Sequence, residues 1–219
     1  MNFLKSFKAR LILVLIALMV IPLIVYGTIT IRNNINKIET NTYSENLTAA
    51  ENLAVETTNV LQESENLLKI ASESDGIKSM IPTKMMDVSE ELVNTSDYIA
   101  NVYIMNKTGK QVYKTTGDLG DRADRGYFQK AIEGEANFSD IIMSRSRGVP
   151  IVVYALPIKR GSSVVGVLGA SIDLGILSEM VKERSPGETG ISFIVDDSGK
   201  TIAHPNEDYV LEMQDLTNL

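Results

Sequence analysis

The chain has 219 residues, with 21 lysines and arginines against 28 aspartates and glutamates, and its formal net charge is −7. Every acidic residue lies after Ile31. A surface this acidic is a poor partner for nucleic acid, because neutralising phosphates requires a basic patch. The sequence contains no cysteine and one histidine, so disulfides, thiol nucleophiles and cysteine-ligated metals are excluded, and we expect neither a metal site nor a cofactor.

The N-terminal region predicts a membrane anchor. Residues 11–31 contain no charge, a length that spans the roughly 30 Å hydrocarbon core of a bilayer. A cleaved signal peptide is the alternative, but the run exceeds the usual signal core of about 7–15 residues and no A-x-A-like site follows it. Residues 1–10 carry Lys5, Lys8 and Arg10. The positive-inside rule therefore predicts a cytoplasmic N-terminus, a cell-membrane span and an extracytoplasmic remainder.

Residues 32–73 contain no glycine or proline and predict one long helix. Small and apolar side chains recur along it at alternating spacings of three and four: Leu47, Ala50, Ala54, Thr57, Leu61, Ser64, Leu68 and Ala71. Such a face suits packing against the chain's own domain, and it also suits a dimer stalk that carries motion to the membrane. Both interpretations are open at this point.

The next stretch mixes helices and strands. Residues 74–97 predict a loop and a short helix, and two strands then flank a turn at Gly109. The carboxylates of Asp121 and Asp124 are predicted to cap a short helix that ends at Gly134. Three strands are predicted around residues 139–144, 149–158 and 163–172, the last two as an antiparallel hairpin. A helix is predicted from Leu174, with Asp173 as its N-cap.

The strand and turn around Gly109 recur near the end of the chain. VYIMNKTGK at residues 102–110 matches FIVDDSGK at residues 193–200, and both turns end in Gly-Lys. The repeat predicts two related modules in tandem, over residues 74–184 and 185–219. About thirty residues are too few for a sheet of normal strand count, so we expect the second module to be incomplete.

Four segments of the chain together resemble the double Cache (dCache) extracytoplasmic sensor domain, which is common in bacterial methyl-accepting chemotaxis receptors. They are RGYFQKAIEG at 125–134, ALPI at 155–158, VGV at 165–167 and FIVDDSGKTIAHP at 193–205. The resemblance covers roughly residues 32–219. It implies an α+β fold in which tandem PAS-like modules with central antiparallel sheets follow a long N-terminal helix. It also implies that the membrane-distal module, residues 74–184, holds the ligand.

The resemblance implies particular site residues. In amino-acid-binding members of the family, an arginine and adjacent aromatics hold the ligand carboxylate, and an aspartate takes the ammonium group. By motif position these are Arg125, Tyr127 with Phe128, and Asp173. The pattern expects a tyrosine where this chain has Gly120 and a tryptophan where it has Tyr127. A small carboxylate is therefore an alternative to an amino acid.

Three further residues complete the predicted site. Ser144 and Arg145 lie before a turn and either wall the pocket or belong to a surface loop, and Tyr154 lies in an apolar strand that could face either side of the sheet. Structural alternatives exist for the charged residues, because Arg125 could pair with a neighbouring aspartate and Asp173 could cap the helix that follows it.

These observations predict the extracytoplasmic, small-molecule-sensing part of a transmembrane chemoreceptor. We expect a homodimer through the long helix, with ligand binding transmitted as helix movement to a cytoplasmic signalling region outside this chain. The same sensor on a histidine kinase or diguanylate cyclase is the nearest alternative. An anchored extracytoplasmic enzyme and a structural adhesin are alternatives of other classes. The sequence has no P-loop and no Gly-x-Ser-x-Gly elbow, so we predict no catalysis.

Overall fold

The computed structural model describes residues 7–144, 149–187 and 189–216. It divides into two units, residues 1–48 and 49–219. The first unit is helical over its described residues and belongs to helix α1 (Phe7–Glu73). This helix is apolar and long enough to cross a membrane, and Pro22 lies inside it without ending it. The helix predicted over residues 32–73 is confirmed as the last part of α1.

The second unit combines helices with antiparallel strands, as the predicted α+β class requires. After α1 its elements are α2 (Asp75–Lys78), α3 (Pro82–Thr95), β1 (Ile99–Asn106), β2 (Gln111–Lys114), α4 (Gly126–Ile132), β3 (Asn137–Phe138), β4 (Ile142–Met143), β5 (Pro150–Arg160), β6 (Ser163–Asp173), α5 (Gly175–Glu183), β7 (Ile194–Val195), β8 (Thr201–Ala203) and α6 (Glu207–Leu211). The main sheet has the order β2-β1-β6-β5-β3, and β4 also pairs with β5.

The two faces of this sheet bury different partners, because successive side chains of a strand point to opposite sides. One face, called the α1 face below, packs Val102, Ile104, Val152, Tyr154, Leu156, Leu168, Ala170 and Ile172 with side chains of α1. The other, called the α4 face, packs Tyr103, Met105, Val153, Ala155 and Val167 against Tyr127, Phe128 and Ala131 of α4. The sheet therefore separates α1 from α4.

The packing face of α1 differs in part from the predicted stripe. Ser64, Leu68 and Ala71 are buried as expected, but Ala50 and Ala54 are exposed. Leu53 and Val60 are buried in the core in their place. Larger side chains fill the space between helix and sheet, so the small-residue stripe is only partly the contact surface.

Several predicted boundaries are corrected. The strand predicted over residues 139–144 is instead two short strands, β3 and β4, which both pair with β5. Asp121 and Asp124 do not cap α4, whose N-cap residue is Arg125. Asp173 is not the N-cap of α5 either, because Leu174 takes that position. The hairpin of β5 and β6 is confirmed.

The internal repeat is reproduced in three dimensions. In the first copy, the Asn106 Oδ1 atom accepts hydrogen bonds from the amides of Thr108 and Lys110. In the second, Asp196 Oδ1 accepts from the amides of Ser198 and Lys200. Gly109 and Gly199 adopt φ values of 84° and 82° at equivalent turn positions. A side-chain oxygen of the same geometry thus closes both turns.

Candidate functional site

The α4 face carries a polar region at one end of the sheet. Asp173 belongs to the same side of β6 as Ser171, Gly169 and Val167, because alternate residues share a face. Gly169 lies opposite Tyr103 on β1 and opposite Ala155 on β5. A Cβ atom at Gly169 would lie 2.4 Å from Tyr103 Cε2, so the tyrosine ring lies directly over the glycine. The absence of a side chain at Gly169 positions Tyr103 across the sheet.

Tyr103 is the centre of a group of hydroxyls. Burial raises its pKa well above the usual range, and the nearby Tyr127 hydroxyl raises it further. The nearby Ser171 hydroxyl and the positive charge of Arg122 lower this pKa, against the larger effect of burial. Tyr103, Tyr127 and Ser171 therefore lie close together on the α4 face, and Ser171 is two residues before Asp173 on β6.

The structure brings four of the predicted site residues to this side of the sheet. Tyr127 and Phe128 lie in the first turn of α4 and are 8% and 4% exposed. Arg125 is the N-cap residue of α4, two residues before Tyr127, and its side chain is 42% exposed. Its Nε atom lies 3.9 Å from Asp124 Oδ1, a loose pair because the Asp124 side chain is 78% exposed. Asp173 is half-buried, and its Oδ1 accepts a 2.8 Å hydrogen bond from the Gly175 amide.

Tyr154 lies on the α1 face instead and does not join them. Its ring is buried and lies 4.4 Å, centroid to centroid, from that of Phe138. Its hydroxyl donates a 2.8 Å hydrogen bond to Glu65 Oε1 on α1. Burial and this carboxylate both raise the pKa of Tyr154. Tyr154 therefore connects strand β5 to the long helix.

The loop after β4 carries the remaining predicted residues. Ser144 is half-buried, and its amide donates a 2.9 Å hydrogen bond to the Val149 carbonyl. Arg145 lies outside the described residues.

Sequence reasoning missed Tyr103, Ser171 and Arg122. The first two stand in apolar strands, where a hydroxyl-bearing side chain is itself a signal, since buried hydroxyls need partners. Arg122 lies three residues before Arg125 in the same loop, and spacing alone gives no reason to prefer it.

A concave feature lies elsewhere in the same unit. It is a cleft of about 400 Å³ between α1 and α5, lined by four glutamates, Glu56, Glu63, Glu179 and Glu183, around an apolar floor that includes Val60 and Met180. Arg184 is paired with Glu56 across it. This cleft shares no residue with the polar region of the α4 face.

An antiparallel sheet with a long N-terminal helix on one face, and polar groups on the other, defines a sensor domain of the Cache type. Residues 33–219 match the family model dCache_1, described as the Cache domain, and the chain belongs to this family.

The chain is also similar to individual proteins. Methyl-accepting chemotaxis protein McpB of Bacillus subtilis is 24% identical over 220 residues, which cover 94% of this chain and 32% of McpB. The chain thus spans about a third of that relative's length.

Two solved structures share the fold. A domain of a sensory box/GGDEF family protein from Vibrio parahaemolyticus has a TM-score of 0.63 at 17% identity, over 76% of this chain and 73% of that chain. The ligand-binding domain of the Pseudomonas aeruginosa amino acid chemoreceptor PctC, in complex with GABA, has a TM-score of 0.60 at 19% identity, over 73% and 74%. At these identities the likeness is one of fold.

Proposed function

We propose that this chain is the extracytoplasmic, small-molecule-sensing part of a transmembrane chemoreceptor. Membership of the Cache family and the apolar N-terminal helix support this proposal. The basic residues in segment 1–10 support a cytoplasmic N-terminus, with residues 11–31 in the membrane. Membership of the Cache family supports residues 74–184 as the membrane-distal module. The similarity to McpB supports a chemotaxis output outside this chain. We assign the chain no catalytic role.

The observation that carries the proposal is the polar region of the α4 face. Arg125, Tyr127, Phe128 and Asp173 lie on one side of the sheet, and a cation, hydroxyls and an anion together complement a small zwitterion. We propose them as ligand-binding residues, with Ser144 and Arg145 closing the pocket from the loop after β4. An amino acid or a small carboxylate is the proposed ligand, and the GABA bound to PctC supports this class.

Transmission is proposed to use α1. Tyr154 extends from the opposite face of β5 and donates a hydrogen bond to Glu65 of α1. A change in the position of β5 would therefore move α1 through this hydrogen bond. In a homodimer formed through α1, the helix would move relative to the α1 helix of the partner subunit. The signal is limited by the difference in ligand affinity between two arrangements of the domain. The GGDEF-family domain with the same fold supports a cyclase output as the second candidate.

A thermal-shift screen of the full chain in detergent tests the proposal. Amino acids and small organic acids are added, and a ligand held only by the folded state at a hundredfold excess over Kd stabilises it by about 2.7 kcal/mol. The shift should disappear in Arg125→Ala and persist in Lys130→Ala, which removes an exposed cation from the same helix. A screen in which no compound shifts the melting curve contradicts direct small-molecule sensing. A shift that survives Arg125→Ala contradicts the site.

A further inference from the structure

Arg122 is held at a defined position by the turn between β1 and β2. Its amide donates a 2.9 Å hydrogen bond to the Gly109 carbonyl, and the Arg125 amide donates one of 3.0 Å to the Arg122 carbonyl. The second bond closes a tight turn, which keeps the two arginine Cα atoms within about 7 Å of each other. Arg122 and Arg125 are therefore neighbours in space.

The direction of the Arg122 side chain follows from Gly120. A Cβ atom built on Gly120 would lie 2.6 Å from Arg122 Nη1 and 3.1 Å from Cζ, so the guanidinium occupies the volume that any side chain at position 120 would need. Gly120 itself is fixed by Gln111, whose Oε1 accepts from the Gly120 amide at 2.8 Å. The positive charge of Arg122 lowers the pKa of Tyr103, a residue of the α4 face, against the larger raising effect of burial.

This guanidinium has no counter-ion among the described residues. Its Nη1 atom donates a 2.8 Å hydrogen bond to the Asp121 carbonyl, whereas the Asp121 carboxylate accepts a hydrogen bond from the Ala123 amide. Arg122 is half-buried, and a guanidinium carries five N–H donors. Most N–H donors of Arg122 therefore have no carboxylate partner among the described residues.

We propose that the site selects an acidic amino acid, whose second carboxylate is bound by Arg122. The inference rests on the proposed function and deepens it. Arg125 takes one carboxylate and Asp173 the ammonium group, and Arg122, a second cation without a counter-ion among the described residues, complements a second anionic group on the ligand. Asp124 does not satisfy this need, because it lies loosely against Arg125 and is mostly solvated.

Calorimetric titration of the full chain in detergent compares L-glutamate and L-aspartate with L-glutamine and L-asparagine, which have the same shape without the second charge. Acidic amino acids are expected to bind at least about tenfold more tightly, the value of one well-placed charge-assisted contact. Arg122→Gln should remove this preference while the amides bind as before. Gly120→Ala should reduce it without removing any charge, because the added Cβ displaces the guanidinium. Lys130→Gln is the control for net charge and should keep the preference.

The outcomes separate this inference from the proposed function. Amides that bind as tightly as the acids, or a preference unchanged in Arg122→Gln, overturn the inference and leave small-molecule sensing in place. Succinate binding as tightly as L-aspartate overturns the role of the ammonium group. Failure of every amino acid and organic acid to bind the wild-type chain overturns both. Circular dichroism of each variant distinguishes a loss of selectivity from a loss of folding. Arg122→Lys is included as a substitution that keeps the charge at this position.

Discussion

Replacing Tyr154 with phenylalanine tests the separation of the two sheet faces. The substitution removes one hydroxyl and leaves the ring in contact with that of Phe138. A hydrogen bond to a charged group is worth about 1.5–3 kcal/mol. Glu65 keeps its 2.6 Å ion pair with Lys69, and its side chain is 24% exposed, so it is not left unpaired by the change. We therefore expect a loss at the lower end, about 1.5 kcal/mol, or roughly 3–6 °C in Tm for a unit of this size.

The effect should depend on pH in a defined direction. Hydrogen bonds from Lys69 and then from Tyr154 lower the pKa of Glu65, against the raising effect of burial. A carboxyl group whose pKa is lowered by folding stabilises the protein above its unfolded pKa of about 4.3, and this stabilisation is lost as pH falls through the folded value. The difference between wild type and Tyr154→Phe is therefore full at neutral pH and shrinks below about pH 4.

Thermal unfolding of the full chain in detergent, followed by circular dichroism, measures this difference. Tyr43→Phe is the matched control, since Tyr43 is 71% exposed and its hydroxyl should contribute less than about 0.5 kcal/mol. Ligand affinity of Tyr154→Phe should stay within about threefold of wild type, less than the loss of one hydrogen bond. A Tyr154→Phe variant as stable as Tyr43→Phe, or one that binds ligand tenfold more weakly, would refute the reasoning.

Three further predictions concern backbone and turn positions, all read from thermal unfolding. Gly169→Ala should cost about 1–3 kcal/mol by overpacking against Tyr103, and an unchanged Tm would contradict the ring-over-glycine contact. Gly161→Ala should cost about 1 kcal/mol of stability, because Gly161 has a φ of 60° but open space around it. Gly109→Ala should cost more, because Gly109 has a φ of 84° and its added Cβ would lie 2.5 Å from the Ala123 backbone. Equal losses of stability in the two variants would contradict the close approach. Asn106→Ala should cost about 1–2 kcal/mol through lost turn hydrogen bonds, and a neutral effect would show that the turn closes without them.

The fold was largely predictable because its signals are local. The β5–β6 hairpin follows from two apolar runs around Gly161, and α4 ends where Gly134 adopts a φ of 105°. The cap of α4 was not predictable from composition, because four charged residues before it compete and the backbone turn at Arg122 decides which one precedes the helix. Likewise, short strands such as β3 and β4 are defined by pairing with β5 and not by their own sequence.

The candidate site was predictable only in part. Strand alternation places Tyr154 on the same side as Val152 and Leu156, but which side faces α1 depends on tertiary packing. The role of Tyr103 depends on its contact with Gly169, and these residues belong to two strands, β1 and β6, that are far apart in sequence. The guanidinium of Arg122 occupies the space that a side chain at Gly120 would need. The family resemblance showed only that Gly120 departs from the expected tyrosine, and it did not show what fills that space.

The most direct test of the account is a crystal structure of this chain with the best ligand from the screen. We predict ligand density on the α4 face, between Arg125 and Asp173, with Tyr154 still bonded to Glu65 on the other side of the sheet. Density in the acidic cleft between α1 and α5, or on the α1 face beside Tyr154, would contradict it.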